Sequence, residues 1–264
     1  MADSFTAPFE AAASATVDCP IISGPQKTDR MGMVLAIDLG SQDLALAVSR
    51  DNRMPRASVV VTTAARNLIR LSKAGEKVES IVVYGSEMDP TLHPEFKEIT
   101  GNLRDLRNKW YSKAKLWLVS EETHLEEPEV RRALAIYDRF GVRLDWGTAK
   151  TFSAMTGRKS PEFGQLVESL AHAENLVIQA RFVRGTVDNS TDAEVKAWVK
   201  RVGELKPREV HIQNGESKAA GAGGARGSKK ARAIPKGRAA EIAALVTEKT
   251  GIPATVYTGD GLFG

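Results

Sequence analysis

Short runs of Val, Ile and Leu, each followed by a stretch of helix length, recur along this chain and restrict it to one class of fold. The runs fall at 33–39, 80–84, 115–119, 142–146, 175–183 and 209–213. Each is nearly continuous in apolar residues, as in strands covered on both faces. Amphipathic stretches follow at 63–74, 94–110, 128–140, 161–173, 192–202 and 236–250. Pro94, Pro128 and Pro161 sit at expected first helical turns, where a missing N–H costs nothing. Ser190 and Thr191 followed by Glu194 resemble a capping arrangement, and Gly141 and Gly251 sit where helices should stop. Repeated strand-then-helix units imply parallel strands joined by right-handed crossovers. Six such units fit an open, partial αβ barrel, a (βα)6 arrangement that a last strand at 254–257 would complete. A doubly wound sheet has the same periodicity and stays open as the alternative.

The 264 residues are 42% hydrophobic and 27% charged, which suits one barrel-sized domain with a sizeable core. A net charge of +4 is too mild for a dedicated nucleic-acid binder. No run of about 18 apolar residues is present, so no membrane span is expected. The first 20 residues lack the basic flank and apolar stretch of a secretory signal, which points to a cytoplasmic protein. Residues 1–30 read as a flexible tail, 31–258 as the barrel domain and 259–264 as a C-terminal tail. The single cysteine, Cys19, can build neither an internal disulfide nor a cysteine-rich metal site. His93, His124, His172 and His211 show no paired metal spacing.

Several stretches resemble radical S-adenosylmethionine (SAM) enzymes. Glu87-Met88-Asp89-Pro90-Thr91-Leu92-His93-Pro94 is similar to the G-G-E-P-T-L-H-P segment after that family's second strand. Glu127 to Leu134 is similar to the helix after its third strand, and Gly147 to Phe152 to the turn after its fourth. Phe182 to Thr191, continued by Glu194-Val195 and Pro207 to Val210, resembles the fifth and sixth units. The resemblance covers roughly residues 79–257 and implies a radical-SAM-like open barrel, a partial TIM barrel with parallel strands. It also implies a CxxxCxxC loop after the first strand, holding a [4Fe–4S] cluster that binds SAM. Here Gln42, Leu46 and Ser49 stand at the cysteine spacing. Leu cannot ligate iron, and Gln and Ser are hard donors where such clusters take thiolates. The glycine pair that lets backbone approach the methionine amino group is replaced by Glu87 and Met88, and the acidic position survives as Asp89. Asp38, Ser86, Glu87 and Asp89 are therefore the residues of a degenerate SAM site. The expectation is a pseudoenzyme without cluster or cofactor, acting as a binding or interaction subunit for an active paralogue or a larger assembly.

Two other functions compete. Asp38-Leu39-Gly40-Ser41 resembles the first phosphate loop of actin-like ATPases and sugar kinases, with Leu144 to Thr148 as a second loop. That fold needs a hairpin of 44–49 and 57–62, turned at Asp51-Asn52-Arg53. Residues 218–238 are Gly/Ala-rich and carry Lys229, Lys230 and Arg232 among other bases and no acid. They read as a mobile loop, solvated or in contact with phosphate or RNA; missing aromatics count against base stacking. Asp38, Asp89 and Asp145 fall at strand ends, where barrel sites gather or where acids simply cap loops. His93 reads as structural, and Glu121, Glu122, Glu126 and Glu127 around His124 as a solvated face. Trp110, Tyr111 and Trp117 should pack helix on strand, while Trp146 could line a pocket.

Overall fold

The computed structural model describes residues 21–42, 53–120, 125, 127–214 and 232–258. In chain order these form β1 (Ile22–Thr28), β2 (Gly32–Asp38), α1 (Ala57–Lys73), β3 (Ser80–Tyr84), a 3-10 turn (Pro90–Leu92), α2 (Phe96–Trp110), β4 (Lys115–Ser120), α3 (Pro128–Leu134) and β5 (Arg139–Arg143). There follow α4 (Ala149–Thr156), α5 (Ser160–Ala171), β6 (Leu176–Arg181), β7 (Val183–Arg184), α6 (Asp192–Leu205), β8 (Glu209–Gln213), β9 (Arg232–Ala233), α7 (Lys236–Thr250) and β10 (Ala254–Tyr257).

Eight strands form one sheet in the order β1-β2-β3-β4-β5-β6-β8-β10. All neighbours run parallel except β1 and β2. Because the order never reverses, right-handed crossovers place successive helices on one side, and the sheet curls around the other. A doubly wound sheet reverses at a switch point and is covered on both faces, so that alternative falls. The curl shows in the side chains. Trp117 on β4 and His211 on β8 are separated by two strands, about 14 Å across a flat sheet, yet their rings are 6.0 Å apart. The sheet does not close, because β1 occupies the free edge of β2. The result is an α/β half barrel.

The core lies between sheet and helices. Alternate strand residues such as Leu35, Ile81, Leu118, Phe140, Ile178 and Ile212 pack there against the helices in one cluster. A smaller cluster lines the concave face, with Val34, Ala36, Val82, Trp117, Val119 and Val177.

Four expectations are corrected. Residues 22–28 belong to the sheet rather than to a tail, with Ile22 opposite Ile37. The fifth strand begins at Arg139 and α3 ends at Leu134, so Gly141 lies inside a strand instead of ending a helix. Residues 149–156 form a helix capped by the Thr148 side chain, not a turn. Residues 57–62, needed as a strand by the kinase-like reading, begin α1. Val60, Ala64, Leu68 and Leu71 fall on one helical face and are buried, and that burial outweighs the strand preference of the Val and Thr residues. The other half of that hairpin, 44–49, lies outside the described residues, as do the tail positions 1–20 and 259–264.

Candidate functional site

The strand C-termini form the mouth of the half barrel, and the expected acids are gathered there. Each already accepts hydrogen bonds there. Asp38 Oδ1 accepts from the Gly40 N–H at 2.9 Å and the Ser86 N–H at 3.0 Å, tying the loops after β2 and β3 together. Asp89 Oδ1 accepts from the Thr91 N–H at 2.9 Å, and Oδ2 from the Ser120 hydroxyl at 2.6 Å. Asp145 accepts from the Arg181 N–H at 2.7 Å and pairs with Arg143 Nε at 2.6 Å. These acids cap loops and strand ends. Among the described residues no group of three or more His, Cys, Asp and Glu side chains is arranged to hold a metal ion.

The side chains of Ser86 and Glu87 are exposed. The loop carrying them folds back so that the Met88 carbonyl lies against Gly40 and Gly85, where added Cβ atoms would sit only 2.0 and 1.8 Å from its oxygen. The close backbone approach that glycine permits here is taken up by the chain itself. Gln42 is half-buried at the end of the described segment, and Leu46 and Ser49 lie outside it. His93 is buried, with Nδ1 accepting from the Glu95 N–H at 3.0 Å and Nε2 donating to the Pro55 carbonyl at 2.6 Å. Burial pushes its pKa down, so it is a neutral structural ring. Of the acidic loop, 121–124 and 126 lie outside the described residues.

Below the mouth, the concave face turns polar from β5 to β10. Gln179 on β6 is opposite both Arg143 and His211 in the register. Trp117, expected to pack under a helix, faces this side instead and meets His211. His211 also meets Tyr257 edge-on at 5.0 Å. Gly141 makes room: a Cβ there would stand 2.6 Å from Gln179 Nε2. Trp117 and His211 are each 3% exposed and Gln179 9%. Among the described residues, Trp117 Nε1, Gln179 Nε2 and His211 Nδ1 have no hydrogen-bond partner. Beneath them, Glu209 lies 3.6 Å from His211 Nε2 and 2.8 Å from Arg139 Nε. The His211 ring and the Arg139 guanidinium hold its carboxyl down, to about 2, against the upward push of burial. On the same face, burial and then Asp38 push the Tyr84 phenol up to about 12, so it keeps its proton.

The sequence reading missed Trp117, Gln179, Arg181 and His211 as a group. The available signal was alternation: Val177, Gln179 and Arg181 interleave with Leu176, Ile178 and Ala180, as do Glu209, His211 and Gln213 with Val210 and Ile212. That period marks strands with one polar-lined face. The basic loop is shorter than expected. Arg232 is exposed and pairs with Arg184 across β7 and β9, and Arg238 lies in α7, bonded to Asp192 and Glu241. Lys229 and Lys230 lie outside the described residues.

No protein-family model matches the chain, and no curated protein matches it. Solved structures with a similar course of chain include a domain of pyruvate-formate lyase-activating enzyme from Bacteroides vulgatus. It is 15% identical with a TM-score of 0.46, covering 66% of this chain and 96% of that one. Another is TsrM, a radical S-adenosylmethionine methyltransferase from Kitasatospora setae, solved with cobalamin and a [4Fe–4S] cluster. It is 15% identical with a TM-score of 0.42, covering 61% of this chain and 31% of that one. The same enzyme with tryptophan and a SAM analogue is 14% identical at a TM-score of 0.40, covering 61% and 30%. The likeness is one of fold. Among the described residues no helix is long and apolar enough to cross a membrane.

Proposed function

We propose that this chain is a radical-SAM-like half barrel that carries no iron–sulfur cluster and serves as a non-catalytic binding protein. The observation that carries this is the cysteine count. The sequence has one, Cys19, upstream of the sheet, and a cluster of this kind takes three thiolates from the protein. Gln42, Leu46 and Ser49, at the expected spacing, offer two hard oxygen donors and a hydrocarbon. The residues present do not fit the group, so no step is drawn through it. Support for binding comes from the concave face, where buried polar atoms of Trp117, Gln179 and His211 stand without partners among the described residues. Buried donors left unmade are costly and point to a missing acceptor. The partner served would be an active paralogue or a larger assembly.

The test is anaerobic reconstitution with iron and sulfide. The protein is expected to remain colourless. A stoichiometric, chelator-sensitive visible chromophore would overturn the proposal. Titration with SAM belongs beside it, since the degenerate mouth around Asp38, Ser86, Glu87 and Asp89 is expected not to saturate. The Met88 carbonyl fills the close approach there.

A further inference from the structure

Among the described residues, three neighbouring groups on the concave face are buried and find no hydrogen-bond partner: the Trp117 indole N–H, the Gln179 amide nitrogen and His211 Nδ1. The first two can only donate. What completes them must present acceptors. His211 turns Nε2 toward Glu209, which leaves Nδ1 buried without a partner among the described residues.

The charges nearby fix the sign. On this face β5, β6 and β8, with the residues that extend them, carry Arg139, Arg143 and Arg181 against Asp145 and Glu209. Arg139 pairs with Glu209 and Arg143 with Asp145. Arg181 has no carboxylate of its own and shares the charge of Asp145 with Arg143. Among the described residues no carboxylate lies within ion-pair distance of its guanidinium. It sits two residues above Gln179 on the same strand, about 7 Å away. Burial, and then the charge of Arg143, push its pKa down against the upward pull of Asp145, so its cationic form stands to gain from an incoming anion.

We infer that the concave face holds a small oxyanion, a carboxylate or phosphate group, with Trp117 and Gln179 donating from below, Arg181 closing from the mouth and His211 alongside. Gly141 belongs to the device, because its missing side chain is what leaves room for the Gln179 amide. This rests on the binding role proposed above and names its ligand class.

The test follows the Trp117 indole proton by NMR in the full chain. Its resonance is identified by its loss in Trp117→Phe, or by its contact with the His211 ring if that variant does not fold. Inorganic phosphate, succinate and benzoate are titrated separately, with benzamide as the uncharged counterpart of benzoate. At least one anion is expected to shift the Trp117 signal downfield and saturably, while the other three indoles stay in place. Which anion does so separates phosphate from carboxylate. Arg181→Gln is expected to weaken that anion tenfold or more, with the other indole signals reporting an intact fold. The inference is overturned if no anion moves the signal, if benzamide matches benzoate, or if Arg181→Gln binds as well as the parent. A chromophore on reconstitution would sink the underlying reading whatever the anions do. A colourless protein whose Trp117 signal ignores every anion sinks this inference alone.

Discussion

Gly85 and Gly101 look alike in a sequence and differ in what surrounds them. A Cβ at Gly85 meets the Met88 carbonyl, so backbone must move; Gly101 lies within α2 with nothing within 4 Å of an added Cβ. Gly85→Ala is expected to destabilise by about 1–3 kcal/mol, the usual cost of overpacking. Gly101→Ala is expected to stabilise by about 0.5–1 kcal/mol, the helical preference for Ala. Urea midpoints of the two variants check both signs. Glu209 sets a pH dependence. Its pKa is depressed from 4.5 to about 2, so its contribution is fully present above 4.5 and is lost as pH falls through about 2. With allowance for partial exposure the loss is about 1–2 kcal/mol. Unfolding midpoints measured down through that window should fall, and Glu209→Gln should remove part of the slope.

Elements are joined by a few buried polar side chains, and Glu194 is the clearest. From the first turn of α6 its carboxylate accepts from the Gly147 N–H at 2.7 Å, the Thr148 N–H at 3.0 Å and the Thr148 hydroxyl at 3.0 Å. It thereby fixes the start of α4 against α6. Glu194→Ala leaves those donors unmade and should cost about 2–4 kcal/mol, with Glu194→Gln milder; equal unfolding midpoints for the two variants would contradict this. Such ties explain what the sequence could and could not reveal. Strands 80–84 and 254–257 were legible because largely apolar runs of that length have few other uses. The fifth strand was displaced because Gly141 read as a helix stop, when its role is to admit the Gln179 side chain. The helix α4 was missed because it buries only Phe152, too little to set a period. The strand-end acids were legible as a group, and their loop-capping role followed from position. Trp117, Gln179 and His211 were not legible together, since only the curl of the sheet makes neighbours of residues so far apart in the chain.

For the whole molecule, the open edges decide stability. If 22–28 were a tail, removing residues 1–30 would be silent. With β1 paired to β2, removal uncovers a parallel-sheet edge beside the core. The thermal midpoint is then expected to drop by about 5–10 °C, with a shift toward larger species in size-exclusion chromatography; an unchanged midpoint and profile would contradict it. The strand order has one more consequence. Each strand of the main sheet pairs with the one preceding it there: β2 on β1, β3 on β2, and so on to β10 on β8. Within that sheet, among the described residues, every strand after the first finds its partner already made. A ribosome delivering the N-terminus first can therefore lay down the sheet in the order of translation, and a chain paused midway carries a single growing edge, ready for the next strand.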